Sequence, residues 1–451
     1  MQPKMLNILE LLILVLPSDL PYLNNLSKIV KGIYSISTGG ITQKNISRQT
    51  QSDGLSLRSV QRFFATLINW ELLYLSCISY FFGCGNQKTY LLAIDEVVEK
   101  KSGKATPKVG WFYSSIVGKA IKSICFHVVS LVEVDTRKSL VVNYEQREQK
   151  KSSKSKRGNK NNKKGNGKVG RPKGSKNKTH IKEHTSLSLS FERLIIAALA
   201  LLATIGIVPT CVVGDGAYAS KTYLLICIEQ QIAFISKLRN NSALYLPYDG
   251  KKRQYGRKRK FGKKVNYDKL SPKSEFYYKT IANEENDKIK IEVYHFPKIW
   301  TKFLPFQINV VILMARNIET QKVARRVLFS TDLSFTPELI IEYYSLRFQI
   351  EFNFRDAKQY FGLADFRAYK TTQVDNSVGL AFFMVNFSKI VRKKVIELWQ
   401  ITNLSILDIK AGFRAEVQLQ RLIKLLDLDP ITIKSQVDIK QLAAFEAINL
   451  N

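Results

Sequence analysis

The chain holds only five cysteines in 451 residues (Cys77, Cys84, Cys125, Cys211 and Cys227), and none forms a CxxC pair. Its four histidines (His127, His180, His184 and His295) are scattered. That spacing excludes a zinc finger or zinc ribbon, and a disulfide framework is not expected at this size. A reducing cytosol fits such cysteine usage. Long apolar runs are also missing. The longest, from Leu194 to Val208, is shorter than the roughly 18 to 20 residues of a membrane span. The N-terminal MLNILELLILVLP carries Glu10 in its middle and lacks a basic leader ending in small residues, so it reads as a buried helix and not as a signal peptide.

Acidic residues are scarce. Seventy Lys and Arg face 37 Asp and Glu, a net charge of +33. Such an excess points to a polyanionic partner, with nucleic acid ahead of an acidic membrane surface. The charge is concentrated in two tracts without a single acid. Residues 150–182 carry 14 Lys or Arg and residues 251–264 carry nine. The first is too polar and Gly-rich to build a core and is expected to be disordered without its partner. Inside it, Gly170-Arg171-Pro172-Lys173 resembles the AT-hook, whose Arg-Pro core lies in the minor groove of A·T-rich DNA. A purely electrostatic tail is the alternative for Arg171.

At 451 residues the chain has room for two or three domains. Residues 1–85 read as helical. Within them, Gly54 separates two helical stretches and Ser56 is a plausible N-cap. The second stretch is expected to expose Arg58, Ser59, Gln61 and Arg62 and to bury Leu57, Val60, Phe64 and Leu67. This pattern suits a helix-turn-helix whose second helix enters a major groove; a helical hairpin with a polar face is the simpler reading. From Thr89 the pattern turns to strands, and YLLAID, WFYSSIVGK and AIKSICFHVVSLVEVD suggest a three-strand meander. After the basic tract come a helix near residues 190–205, a strand ending at Asp215, a helix over 220–230 and a strand over 232–238. Residues 240–333 read as strands and turns, and residues 367–451 as helices.

Chemistry concentrates in EYYSLRFQIEFNFRDAKQYFGL. No Pro, and no Gly before Gly362, interrupts it, so one helix starting near Pro337 is expected. With Tyr344 at zero and about 100° per residue, Arg347, Glu351 and Lys358 fall at about −60°, −20° and −40°, and Arg355 at about +20°. A carboxylate flanked by cations and a phenol on one stripe suits a metal ion held beside phosphates. A solvated face with i,i+4 ion pairs such as Arg347–Glu351 is the plainer reading. The order and spacing of Tyr344, Arg347, Glu351 and Lys358 resemble the Y-x2-R-x3-E-x6-K motif of the IS-four family of bacterial insertion-sequence transposases. Asp215-Gly-Ala-Tyr resembles that family's second motif.

The resemblance implies an α/β fold: a ribonuclease-H-like core over residues 86–366, with the basic tract (145–186) and a β-rich insertion (240–333) inside it. Helical regions flank it, residues 1–85 as the DNA-binding part and residues 367–451 as the C-terminal part. In such a core the first strand, the fourth strand and a late helix each supply one carboxylate, here Asp95, Asp215 and Glu351. Glu96, next to Asp95, would point to the other face of its strand. Hard Mg²⁺ prefers carboxylate and water oxygens, and two ions can activate the attacking oxygen and stabilise the leaving one. The resemblance thus implies a DDE transposase using two Mg²⁺, with Mn²⁺ able to substitute. It would bind its element's inverted repeats, cut both strands, and join the ends to target DNA as a homodimer, in a bacterial cytoplasm near the nucleoid and away from membranes. Tyr344, Arg347, Lys358 and Arg355 would contact phosphates. Trp300 would stabilise a flipped base, although packing inside the insertion is an equal reading for it. A catalytically dead, domesticated copy that only binds DNA is the competing class.

Overall fold

The computed structural model describes residues 6–37, 39–103, 105–149, 186–250, 258–282, 288–429 and 437–444, with residues 255 and 433. The first basic tract, with Arg171 and the AT-hook-like segment, lies outside the described residues, as does part of the second tract.

The buried run Tyr90–Ile94 opens β1 (Tyr90–Lys100), the central strand. It pairs antiparallel with β3 (Lys119–Glu133), from Tyr90↔Glu133 to Lys100↔Ser123. On its other edge it pairs in parallel with β5 (Cys211–Gly214), from Leu91↔Cys211 to Ile94↔Gly214. β5 pairs in parallel with β6 (Ala233–Leu238). The outer edge of β3 is shared by β2 (Gly110–Ser114) and β4 (Ser139–Gln146). The expected three-strand meander is corrected here: the strand that completes the core beside β3 is β4, SLVVNYEQ. β2 is a short edge strand with Trp111 and Tyr113 exposed. Aromatic and β-branched residues favoured both segments, but β4 buries Leu140, Val141 and Val142 in succession, whereas β2 buries only Phe112.

Helices cover both faces of this sheet, giving a ribonuclease-H-like α/β core. On one face lie α6 (Ser186–Ala203), against β3 and β4, and α7 (Lys221–Glu229), against β6. On the other lie α8 (Pro337–Leu346), against β5, β6 and β12, and α9 (Gln349–Tyr360), against β1, β3 and β4. The insertion contributes β7 (Leu244–Pro247), β8 (Phe261–Lys264), β9 (Tyr277–Ala282), β10 (Ile289–Thr301), β11 (Ile308–Asn317) and β12 (Val323–Ser330). It extends the core sheet and is not a separate body, because β12 pairs antiparallel with β6. The path runs β2-β3-β1-β5-β6-β12-β11-β10-β7-β8.

The N-terminal region contains α1 (Ile8–Val15), α2 (Leu23–Ser35), α3 (Gln43–Thr50), α4 (Leu57–Ala65) and α5 (Trp70–Phe82). α1 buries Ile8, Leu11, Leu12 and Val15 but leaves Ile13 and Leu14 exposed. Ser56 caps α4 by accepting from the Ser59 N–H at 3.2 Å, and Gly54 makes the preceding turn with φ +75°. Val60 and Phe64 are buried as expected, and Phe63 joins them; Leu57 and Leu67 are exposed, against expectation. The extended backbone of Thr66 ends α4, so helical spacing no longer governs Leu67, and Leu57 falls on the outer side of the first turn.

The C-terminal region is built on α10 (Thr371–Trp399), followed by α11 (Ile406–Leu425) and α12 (Ile439–Ala444). α10 clasps both neighbours. Buried Asn376 accepts from Trp70 Nε1 at 3.0 Å and donates to the Phe64 and Thr66 carbonyls at 2.8 and 2.6 Å. Gly379 lets Trp70 sit against the helix; a Cβ there would stand 2.3 Å from Trp70 Cδ1. Asn386 answers the outer edge of β4, bonding the Val141 N–H and C=O at 2.8 Å each. Among the described residues no helix is long and apolar enough to cross a membrane.

Candidate active site

Asp95 follows the buried run of β1, and the strand's alternation sorts it from its neighbour. Its side chain turns to the α9 face, where Arg347 donates to Oδ2 at 2.7 Å. Glu96 turns to the α6 face, where it meets His127 Nε2 at 2.7 Å; the other ring nitrogen of His127 lies 3.1 Å from Ser190 Oγ on α6. Arg147 closes that second cluster with bonds of 2.9 and 2.8 Å to Glu96.

β5 delivers Asp215 beside Asp95. Because Ile94 is level with Gly214 in the parallel register, the two aspartates leave neighbouring strands at matching positions, with strands about 4.8 Å apart. Asp215 caps a short 3-10 turn, Gly216–Tyr218, through Ala217 N–H to Oδ1 at 2.8 Å. Ser236 on β6 fixes its backbone by donating to Asp215 O at 2.7 Å.

Glu351 comes from the first turn of α9. The single helix expected across Tyr344–Lys358 is instead two helices meeting at Arg347–Phe348. Both residues keep right-handed helical angles, but the joint is tightened by i→i+3 bonds, Phe348 N–H to Ser345 O at 3.2 Å and Glu351 N–H to Phe348 O at 3.0 Å. Arg347 sits on this joint, only 14% exposed, and bridges two acids: besides Asp95 it donates to Glu351 Oε1 at 2.8 Å.

Electrostatics bind the three acids into one site. Burial pushes the Asp95 carboxyl up to about 6; the Arg347 guanidinium opposes the rise, and the charges of Asp215 and Glu351 add to it. Burial also raises the Tyr344 phenol, with Arg347 and Arg326 opposing and Asp215 reinforcing. Arg347 is held more firmly protonated than usual: burial works against its charge, but Asp95 and Glu351 outweigh it.

The donor chemistry suits a hard divalent ion, which takes carboxylate oxygens. Asp95 and Glu351 already converge on one cation, the Arg347 guanidinium, which serves as a stand-in for such an ion. As they stand, no three His, Cys, Asp or Glu side chains among the described residues form a closed metal-ligand set.

The other expected site residues are placed as follows. Lys358 ties α9 to β1, 2.5 Å from Glu99 Oε1 and 3.0 Å from the Val98 carbonyl. Arg355 pairs with Asp356 at 3.2 Å and lies over Phe352, with no bond to the carboxylates among the described residues. Trp300 is half-buried on β10, opposite Tyr245, with Phe261 edge-on at 6.1 Å and Lys260 at 5.0 Å from its ring. That position is three strands from β6 along the sheet. Arg58 and Arg62 are exposed on α4. A cleft of about 260 Å³ opens away from the carboxylates, between α3–α4 and the loop after α9, lined by Lys44, Gln61, Phe361 and Arg367.

Sequence reasoning passed over two cations near the acids. Lys237 lies along Gly216, its Cε 3.2 Å from where a Cβ would stand, and the charge of Arg326 is felt at Tyr344. The signal for Lys237 was available: it is the one charged residue in the strand AFISKL.

No curated protein matches the chain. Residues 35–285 match the family model described as DDE superfamily endonuclease, a span that contains Asp95 and Asp215. Residues 195–387 match the model of the transposase DDE domain, a span that contains Asp215 and Glu351. The first match covers more than half of the chain, and the protein belongs to the DDE superfamily endonucleases, as a DDE transposase.

Proposed function

We propose that the protein is the cut-and-paste transposase of an insertion sequence: it binds the inverted repeats at its element's ends, cleaves both strands there and joins the ends to target DNA. The observation that carries this reading is the convergence of Asp95 and Asp215, level on neighbouring parallel strands, with Glu351 linked to Asp95 through one guanidinium.

Asp95, Asp215 and Glu351 would hold two Mg²⁺ ions, with Mn²⁺ able to replace them; bound there, the ions supply an activated water and stabilise the departing oxygen. The chain's own task is to place the phosphodiester. Tyr344, Arg347 and Lys358 would contact it from α8 and α9, with Lys237, which lies along Gly216, and Arg326, whose charge reaches Tyr344, adding positive charge from the sheet. A guanidinium takes a phosphate bidentately, whereas a lysine acts as a movable point charge. Water attacks the phosphorus and the 3′ oxygen leaves, freeing a 3′-OH. That hydroxyl attacks a phosphodiester of the opposite strand, whose 3′ oxygen leaves, giving a hairpin. A second water opens the hairpin and restores the 3′-OH, which attacks a target phosphodiester and displaces its 3′ oxygen to give the joined product.

Arg58 and Arg62 on α4 read the repeat, the basic tract with Arg171 adds non-specific affinity, and Arg355 contributes a peripheral phosphate contact. Trp300 receives an unpaired base during hairpin formation, and two protomers bring the two ends together.

The test uses end fragments taken from DNA flanking the gene. With Mg²⁺, the wild-type protein should yield a double-strand break at the element's boundary, a transient hairpin and products joined to a plasmid target. Boundary cleavage without any joined product would leave a structure-specific nuclease and remove the transposition reading.

A further inference from the structure

Arg347 is bonded to two of the three acids through separate nitrogens, at 2.7 Å to Asp95 and 2.8 Å to Glu351. Both oxygens of Asp95 are already engaged: Oδ2 faces Arg347, and Oδ1 accepts the Glu96 N–H at 2.8 Å. A divalent ion would bind the same two carboxylates, and a guanidinium held on them would repel it in a partly desolvated site. Two cations therefore contend for one pair of acids.

The guanidinium is not fully satisfied where it sits. Its Nε is buried without a hydrogen-bond partner. A phosphate could use that spare donor by taking two parallel N–H bonds from the fork. Tyr344 feels the charges of Arg347, Asp215 and Arg326, and Lys237 lies against Gly216, next to Asp215, so an incoming phosphate has other groups to hold it there.

We propose that Arg347 and the divalent ion exclude one another at Asp95 and Glu351, and that a DNA phosphate loads the site by drawing Arg347 off the two carboxylates. The inference rests on the reading of Asp95, Asp215 and Glu351 as ligands and of DNA as substrate. Its consequence is specificity in time: without DNA, Arg347 occupies Asp95 and Glu351, and the cutting site assembles only on a phosphate backbone.

The experiment is calorimetric titration of Mn²⁺ into the full chain, with and without a pre-cleaved duplex of the element's end. Arg347→Ala and Arg347→Gln both remove the charge, and Gln keeps a hydrogen-bonding side chain should the Ala variant fold poorly. Without DNA, either variant should bind Mn²⁺ at least about tenfold more tightly than wild type, the equivalent of about 1.4 kcal/mol. The duplex should tighten Mn²⁺ binding to wild type by a similar factor and change the variants little. Arg347→Lys, which restores the charge, should return DNA-free affinity towards wild type.

Equal Mn²⁺ affinity in DNA-free wild type and both charge-removing variants would overturn the inference alone, provided that adding Asp95→Asn abolishes binding. If Asp95→Asn leaves Mn²⁺ binding intact in the Arg347→Gln background, the ion does not sit at these acids, and the reading beneath the inference falls with it.

Discussion

Asp95→Asn should make the DNA-free, metal-free protein more stable near neutral pH. Folding takes the carboxyl from its ordinary 3.8 to about 6, chiefly by burial and despite Arg347. A folded-state value above the unfolded one means that the folded protein holds this proton more tightly. Ionised Asp95 therefore costs stability above about pH 6, and the cost fades as pH falls towards 4. A rise of about two units corresponds to about 3 kcal/mol at pH 7.5 and less than about 1 kcal/mol at pH 4. The side chain is only 21% exposed, so solvent screens little of this. Asn resembles the protonated acid and escapes the cost. Urea unfolding in EDTA should show the variant about 3 kcal/mol more stable at pH 7.5, with most of the gain gone at pH 4. A variant no more stable than wild type at pH 7.5, or one with the same gain at both pH values, would refute the reasoning. An acid retained against its folding cost is the expected signature of a site selected for chemistry.

Other substitutions test the framework around the site. Asn376→Ala removes three hydrogen bonds and leaves Trp70 Nε1 and the Phe64 carbonyl buried and unpaired; it should cost about 2–5 kcal/mol in chemical unfolding followed by tryptophan fluorescence. Lys358→Ala leaves the 11% exposed Glu99 carboxylate without its ion-pair partner; it should cost about 1–3 kcal/mol in the same assay and also slow end cleavage. Arg58→Ala combined with Arg62→Ala should weaken binding of end fragments in mobility-shift titrations. The slope of log K against log salt should become shallower by about 0.9 for every phosphate that the variant no longer neutralises.

Some of the architecture was legible because local pattern and tertiary outcome agree. The apolar run of β1 ends on Asp95, the alternation that sends Glu96 to the α6 face needs only the two-residue period of a strand, and Ser56 caps α4 by a local bond. The order of helices and strands through α6, β5, α7 and β6 likewise followed from residue type. Other features were set by contacts distant in sequence. WFYSS and SLVVNYEQ both have strand-like composition, and only the burial of β4 against α5, α9 and α10 decides which completes the core. Nothing local announces the joint at Arg347–Phe348, which contains neither Gly nor Pro; the Arg347 bond to Asp95 spans 252 residues. The 100° stripe was therefore an incomplete guide: Arg355 turns to Asp356 and Phe352, and Lys358 reaches Glu99. The pairing of β12 with β6, which fuses the insertion to the core sheet, had no marker in composition.

The central claim is that Asp95, Asp215 and Glu351 form one metal-dependent cutting site, and a single substitution tests it most directly. Labelled end fragments are incubated with wild-type protein and with Glu351→Ala, in Mg²⁺ and in EDTA, with DNA binding measured in parallel. The account predicts cleavage at the element's boundary by the wild type in Mg²⁺ alone, and undiminished binding without cleavage by Glu351→Ala. Boundary cleavage that persists in Glu351→Ala, or in EDTA, would contradict it.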